Sequence, residues 1–433
     1  MSNNFIDGFS ALNQDEKLRE ISKYSGNPKA FIRDLKQLRY PDPVIQELMN
    51  GFSENTLSNF PLPFGIAPNF LINGKTYVVP MVIEESSVVA AASAAAKFWY
   101  GAGGFKAEVT GLTKSGQVYF EWEGSEDALT GIFTLLKDFL LDNLKILTER
   151  MESRGGGILD IRLDRTGDYA ENTFLLDFSF NTADSMGANF INSVLEEASR
   201  LTKQFLGLKY PELQKSFQPL MCILSNYTPG CKVKTELTAP VDYINRTYPG
   251  QDLARRMVKA VRIATTDVRR AVTHNKGIFN GIDAVLLATG NDYRAVEAGA
   301  HAFASHKGRY ESLSYASIEN DRFVFGMEIP LSLGTVGGLT GLHPLAKWSL
   351  DLLGKPSAEE LMMVVASAGL ANNFSAVRSL VTTGIQKGHM KLHLENILNY
   401  LGADQAQKNL AHKHFLDKTV SYAEVEKFLK QKL

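Results

Sequence analysis

The chain has 433 residues, 44% of them hydrophobic, which fits a folded protein of about two or three domains and excludes a disordered or fibrous chain. Its 46 basic and 47 acidic residues leave a net charge of −1, which argues against a general polyanion binder while leaving room for a local basic patch. Two cysteines, Cys222 and Cys231, build neither a disulfide framework nor a zinc ribbon and fit a reduced, cytoplasmic setting; no apolar run reaches the ~18 residues of a membrane span, and Met1-Ser2-Asn3-Asn4 lacks the parts of a signal peptide.

Residues 12–50 read as polar helix broken at Pro41 and Pro43. Pro61, Pro63 and Gly65 then fix an extended segment. Thr76 to Ile83 reads as a buried strand whose pairing is limited on one side by Pro80. After Glu84-Glu85-Ser86-Ser87, the run Val88 to Tyr100 has the composition of a buried helix, with Ser86 or Ser87 as its N-cap. Glu84 and Glu85 are then favourable partners of the helix dipole. A helix N-terminus lowers a carboxylate's pKa, so an acid role for Glu85 would require desolvation to dominate.

Residues 108 to about 228 read as one unit. Val118 to Trp122 is a strand, and Asp127 to Leu147 is a long amphipathic helix. Leu159, Ile161 and Leu163 alternate with charged residues, and Phe174, Leu176, Phe178 and Phe180 alternate again, both at strand period. Asn189 to Leu206 is helical, and Pro219 to Leu224 closes the sheet, giving the β-α-β-β-α-β order of a ferredoxin-like fold. The turn before the second helix, Thr182 to Asn189, carries small residues that let backbone approach a phosphate; Asp184 is equally readable as a plain N-cap. No G-x-G-x-x-G or Walker motif occurs, so a bound dinucleotide would not rest on a Rossmann fingerprint.

Leu253 to Val272 is a basic helix. Next comes the densest polar stretch: Arg270, His274-Asn275-Lys276-Gly277-Ile278-Phe279-Asn280-Gly281, Asp283, Thr289-Gly290-Asn291-Asp292 and Glu297 to His301. Lys276 sits in what reads as an Asn- and Gly-rich loop, and Ala284 to Ala288 reads as a buried strand. A lysine and an aspartate at its two ends could then share a pocket, where a fixed cation would hold a developing oxyanion; a solvated surface lysine is the plainer alternative. Gly334 to Thr340 is a flexible glycine loop that either closes on a ligand or merely turns. An alanine-rich helix covers 357–371. His389 and His393 share a helical face at metal-ligand spacing but lack an H-E-x-x-H glutamate and a third ligand, so no metal is expected there.

Four stretches, taken in order, are specific where each alone is weak: Glu84 to Ala90, Asp184 to Asn189, His274 to Gly281 with Ala288 to Asp292, and Gly388-His389-Met390. Together they resemble 3-hydroxy-3-methylglutaryl-coenzyme A reductase in its bacterial class II form, over nearly the whole chain. The resemblance implies an α+β fold. A large, mostly helical substrate-binding domain with a central β element occupies 1–110 and 229–380. A ferredoxin-like cofactor-binding domain is inserted at 111–228, and a C-terminal helical flap covers 381–433.

The resemblance also implies a reaction: reduction of the thioester to mevalonate and coenzyme A with two NAD(P)H, by way of a hemithioacetal and an aldehyde. Lys276 would stabilise the carbonyl oxygen, Glu85 would be an acid, Asp292 would tune both, and His389 would protonate the departing thiolate. Ser87, Arg270 and Asn280 would hold the hydroxymethylglutaryl group. Asp184, Ser185, Met186, Gly187, Ala188, Asn189 and Asn226 would contact the cofactor, beside the glycine run Gly155 to Gly157. Some NADH-using relatives carry an acidic residue before that run. Thr148 aligns there, near Arg150 and Arg154, which favours NADPH over NADH. Ser10 stands where some relatives carry a basic contact to coenzyme A. The resemblance further implies a homodimer, or a larger oligomer built from it, in which Glu85 faces Lys276 and Asp292 of the other subunit. The alternatives are the same enzyme oxidising mevalonate in catabolism, a non-catalytic coenzyme A or nucleotide-binding homologue, and a metal hydrolase using His389 and His393.

Overall fold

A computed structural model describes residues 5–165, 172–382, 384, 394–416, 418 and 420–431. Met1–Pro63 and Phe64–Leu433 are separate compact units. In the first, Gln14–Ser22 (α1), Pro28–Gln37 (α2) and Pro43–Asn50 (α3) are helices begun by Asn13, Asn27 and Asp42, whose side chains accept from first-turn N–H groups. Pro43 both ends the preceding run and opens α3, where its missing N–H costs nothing.

The second unit begins with an antiparallel pair, Phe64–Ile72 (β1) and Lys75–Val82 (β2), with Pro80 opposite Ile66. Ser86–Tyr100 (α4) and Lys106–Val109 (β3) follow. The expected β-α-β-β-α-β run is Lys114–Trp122 (β4), Glu126–Glu152 (α5), Gly157–Arg165 (β5), Thr173–Asn181 (β6), Ala188–Lys209 (α6) and Phe217–Leu224 (β7). Its antiparallel sheet has the order β5-β6-β4-β7, the ferredoxin-like arrangement, and its inward faces share one core with α5 and α6.

The chain then returns through Lys232–Pro240 (β8), Val241–Asn245 (α7), Leu253–Thr266 (α8), Val268–Thr289 (α9), Tyr293–Ala304 (α10), Ser314–Glu319 (β9), Arg322–Pro330 (β10), Leu339–Leu342 (α11), Pro344–Leu352 (α12) and Ala358–Leu380 (α13). A second four-stranded sheet, β3-β8-β10-β9, forms. It shares the largest core with α4, α9 and α13. From Leu361 to Phe374 helix α13 is buried on nearly every side. Residues 394–400, Gln405–His414 and Tyr422–Gln431 are helical and bury Leu394, Leu398, Phe415 and Val425 together.

Two expectations are corrected here. Ala284 to Ala288 is not a strand, and Lys276 is not in a loop: both lie in α9. A short apolar run fits either structure, and the arbiter is what precedes it. Ala271, His274, Asn275, Ile278, Phe279, Ile282, Val285 and Leu286 are buried at helical spacing. The glycines that suggested a loop serve packing instead. A Cβ on Gly281 would lie 2.4 Å from the Ala368 carbonyl oxygen on α13, and one on Gly369 would lie 2.7 Å from Ile282. Helix α9 ends where Gly290 takes φ 70° and the N–H of Asn291 reaches back to the Leu286 carbonyl. The N-cap of α4 is also not a serine but Glu85.

Candidate active site

Helix α9 sets out Arg270, Thr273, Lys276 and Asn280 at intervals of three and four residues, so they share one face. That face lines a cavity of about 440 Å³ with the start of α4 and the end of α13. Glu85, Ser87, Arg270, Lys276 and Asn280 all line it, although some 190 residues separate the two groups in sequence. Lys276 Nζ lies 3.2 Å from Glu85 Oε2, and Ser87 Oγ donates to Glu85 Oε1 at 2.8 Å. Glu85 therefore meets Lys276 of its own chain, which corrects the expectation that the lysine comes from another subunit. Lys276 is 65% exposed, so the pair adds little stability and its value is positional.

Arg270 is held by residues whose part in this was not legible from the sequence. His274 is buried; Ser314 Oγ lies 2.6 Å from its Nε2 and donates to Asn373 Oδ1 at 2.9 Å. This pattern places the imidazole proton on Nε2. Nδ1 is then free to accept from Arg270 Nη2 at 3.4 Å. Burial, and then the Arg270 charge, pull the His274 pKa down to about 3, so the ring is neutral at working pH. The chain Arg270–His274–Ser314–Asn373 ties α9, β9 and α13 together beneath the cavity. Asn372, Asn373 and Arg378 of α13 add further polar groups to its wall.

Asp292 does not join this site. It caps α10, accepting from the N–H groups of Arg294 and Ala295. It faces a second cavity, of about 500 Å³. From Lys276 to the end of α9 is 13 residues, or about 20 Å of helix, so within one chain the two residues cannot share a pocket.

The second cavity is lined by Ser185, Met186, Gly187, Ala188 and Asn189, and by the Gly334 to Thr340 segment. Gly187 has φ 92°, and a Cβ there would lie 2.4 Å from Thr182 Cγ2. No side chain caps α6, so its first N–H groups face the cavity. Asp184 is used differently: its Oδ1 accepts from the Ala358 N–H at the start of α13. Beneath the turn lies Lys114, which the sequence did not mark. Its Nζ donates to Thr182 Oγ1 at 2.6 Å, to the Ser185 carbonyl at 2.8 Å and to the Met186 carbonyl at 3.1 Å, and burial lowers its pKa to about 8.

Two expected cofactor contacts fall elsewhere. Asn226 lines a cavity of about 20 Å³ beside Lys114, room for roughly one water. Thr148 is buried in α5 and donates its hydroxyl to Glu152 Oε1, while Glu152, Arg150 and Arg154 nearby are exposed. His389 and His393 lie outside the described residues. Among the described residues, no group of His, Cys, Asp and Glu could hold a metal, and no helix is long and apolar enough to cross a membrane.

A family model described as hydroxymethylglutaryl-coenzyme A reductase matches residues 15–394. The chain is 35% identical over 398 residues to the 3-hydroxy-3-methylglutaryl-coenzyme A reductase of Archaeoglobus fulgidus, covering 92% of this chain and 87% of that one. It is 32% identical over 413 residues to a probable reductase of the same name from Borreliella burgdorferi, covering 92% and 89%. Among solved structures it is similar to the Streptococcus pneumoniae reductase, with TM-score 0.72, 36% identity and 99% of both chains covered. It is also similar to the class II form of that enzyme bound to NADPH in open conformations, with TM-score 0.71, 37% identity, 87% of this chain and 99% of that one covered.

Proposed function

Because the chain belongs to the hydroxymethylglutaryl-coenzyme A reductase family, we propose that it reduces hydroxymethylglutaryl-coenzyme A to mevalonate and coenzyme A, with NADPH preferred over NADH as reductant. The observation that carries this reading is the cavity in which Lys276, Glu85, Ser87, Arg270 and Asn280 converge.

The chemistry needs a cation where negative charge develops on oxygen, once at the thioester carbonyl and once at the aldehyde. Lys276 is that cation, and Glu85 holds its Nζ over the cavity. Arg270, locked by neutral His274, takes the substrate's free carboxylate, with Ser87 and Asn280 beside it. The cofactor supplies the two hydrides. The turn at 185–189 fits its pyrophosphate, because the N-terminus of α6 has no side-chain cap and its first N–H groups are available, while Gly187 lets the turn close against Thr182. His389 is assigned the proton donor to the leaving thiolate, and the segment from about 380 onward the flap that excludes water.

Asp292 is the reason to propose a homodimer. In this reading a second copy brings its Asp292 and its cofactor turn to the Glu85–Lys276 cavity, which is open on the single chain. Coenzyme A is a product, and a cytoplasmic location fits two free cysteines. The test is loss of reduced-nicotinamide absorbance with hydroxymethylglutaryl-coenzyme A, run in parallel with NADPH and NADH. Turnover with NADPH ahead is expected. No turnover from folded protein would leave a binding protein that kept the fold.

The anchor under the turn yields a pH dependence. An ammonium donates three hydrogen bonds and a neutral amine only two, so raising the pH through about 8 frees one acceptor on the turn. The KM for NADPH is expected to rise severalfold between about pH 7 and 9.5, with the KM for the thioester flat; in Lys114→Met the NADPH KM is high and no longer varies with pH. Global unfolding would not mimic this. The folded pKa lies below the unfolded 10.5, so between about 8 and 10.5 the unfolded chain holds the extra proton, and this group's contribution to stability grows as pH rises.

A further inference from the structure

Arg378 lies in the last turns of α13 and lines the same cavity as Lys276 and Arg270. Its Cζ is 5.6 Å from the ring centre of Phe98 and 5.5 Å from that of Phe374, and those rings stack 5.6 Å apart. The two rings flank the guanidinium, and the residue also lines the cavity. Among the described residues no carboxylate pairs with it and no acceptor takes a hydrogen bond from it. Burial pushes its pKa below the usual arginine value, against a smaller opposing pull from Tyr248.

The charges around the cavity make the case sharper. Three cations line it, Arg270, Lys276 and Arg378, against one carboxylate, Glu85. Lys276 and Glu85 answer each other at 3.2 Å, and His274 is neutral. Two guanidinium groups are left over, each desolvated and each on the wall of one space. Position near a helix C-terminus and stacking on rings would explain a tolerated arginine. They do not explain why a cavity-lining arginine has no carboxylate or hydrogen-bond acceptor among the described residues.

We propose that Arg378 is a second guanidinium for the free carboxylate of the acyl group, and that with Arg270 it makes a carboxylate distal to the thioester a condition of binding. This rests on the reductase reading above. A phosphate of coenzyme A offers the same oxyanion chemistry, and free mevaldehyde separates the two sources, because it carries the carboxylate without coenzyme A.

The experiment compares wild type, Arg378→Met and Arg378→Lys on both hydroxymethylglutaryl-coenzyme A and mevaldehyde. Methionine keeps the packing on Phe98 and Phe374 while removing the charge. The expected result for Arg378→Met is a KM raised about 10- to 100-fold on both substrates, as for loss of a charge-assisted pair. Its kcat stays within about threefold, the mark of uniform binding lost. The KM for NADPH and the melting temperature do not move, and lysine recovers part of the loss. An unchanged KM on both substrates overturns the proposal, and so does a rise confined to the thioester. Calorimetry with 3-hydroxy-3-methylglutarate keeps this separate from the reductase reading. If wild type binds the diacid without turning over the thioester, the reductase reading falls and the carboxylate site stands. If Arg378→Met binds it as tightly as wild type, the carboxylate site falls.

Discussion

Lys276→Ala is expected to lower kcat by at least about 10²- to 10³-fold, the range seen when one oxyanion donor is removed from a preorganised site. The size follows from what the lysine does. Two alkoxides develop in turn at the reacting carbon, and no other ammonium lines the cavity among the described residues. Arg270 is committed to His274 below and, in the proposed reading, to the substrate's carboxylate above. Water would replace the lysine poorly, since it must reorient as the charge forms. Stability should hardly change: the side chain is 65% exposed, and exposed ion pairs contribute about 0–1 kcal/mol. Activity and a melting curve on the same preparation decide it. Near-normal turnover would remove Lys276 from the chemistry, and a large fall in melting temperature would make it a structural residue.

Gly281→Ala is expected to be the costly substitution in the fold. The added Cβ would meet the Ala368 carbonyl oxygen at 2.4 Å and Asn372 Nδ2 at 2.7 Å. The first is backbone inside a buried helix and cannot swing away, so α9 and α13 must separate. Overpacking of this kind costs about 1–3 kcal/mol. Catalysis should fall with stability, because Lys276 and Arg270 ride on α9 while Asn373 and Arg378 ride on α13. Gly277→Ala, one turn earlier, is the control: its Cβ would sit 4.0 Å from Ala376 Cβ, an ordinary contact. Alanine's better helix propensity, worth up to about 1 kcal/mol, should then leave stability equal or higher. Urea unfolding of the pair tests this, and equal losses at both positions would refute the packing argument.

Gly281 also shows where the sequence could be read and where it misled. The ferredoxin-like run was legible because its strands alternate cleanly and its helices carry one apolar face, and the sheet order confirms it. Ala284 to Ala288 was not, because local propensity took Gly277 and Gly281 for loop residues. The reason for Gly281 is a neighbour about 90 residues away, Ala368, which no window on the sequence contains. The grouping of Glu85, Ser87, Arg270, Lys276 and Asn280 was legible only through the ordered motifs. Lys114 and Arg378 carried no motif, and His274 lay in one without any sign of its role. Each acts through a long-range contact, with the 182–186 turn, with Ser314 and with Phe98 respectively. Asp184 was readable as a cap of the helix that follows it, but its carboxylate instead accepts from the Ala358 N–H at the start of α13.

That Lys276 stands on a helix rather than a loop has an evolutionary consequence. Loops absorb insertions and deletions, whereas a helix turns about 100° with every residue. One residue gained or lost between Lys276 and Gly290 would keep both cavities in place yet swing one end of α9 away from its own. The stretch should therefore vary among descendants of this chain by substitution alone, with its length held constant, while length changes collect in the turns between the outer elements.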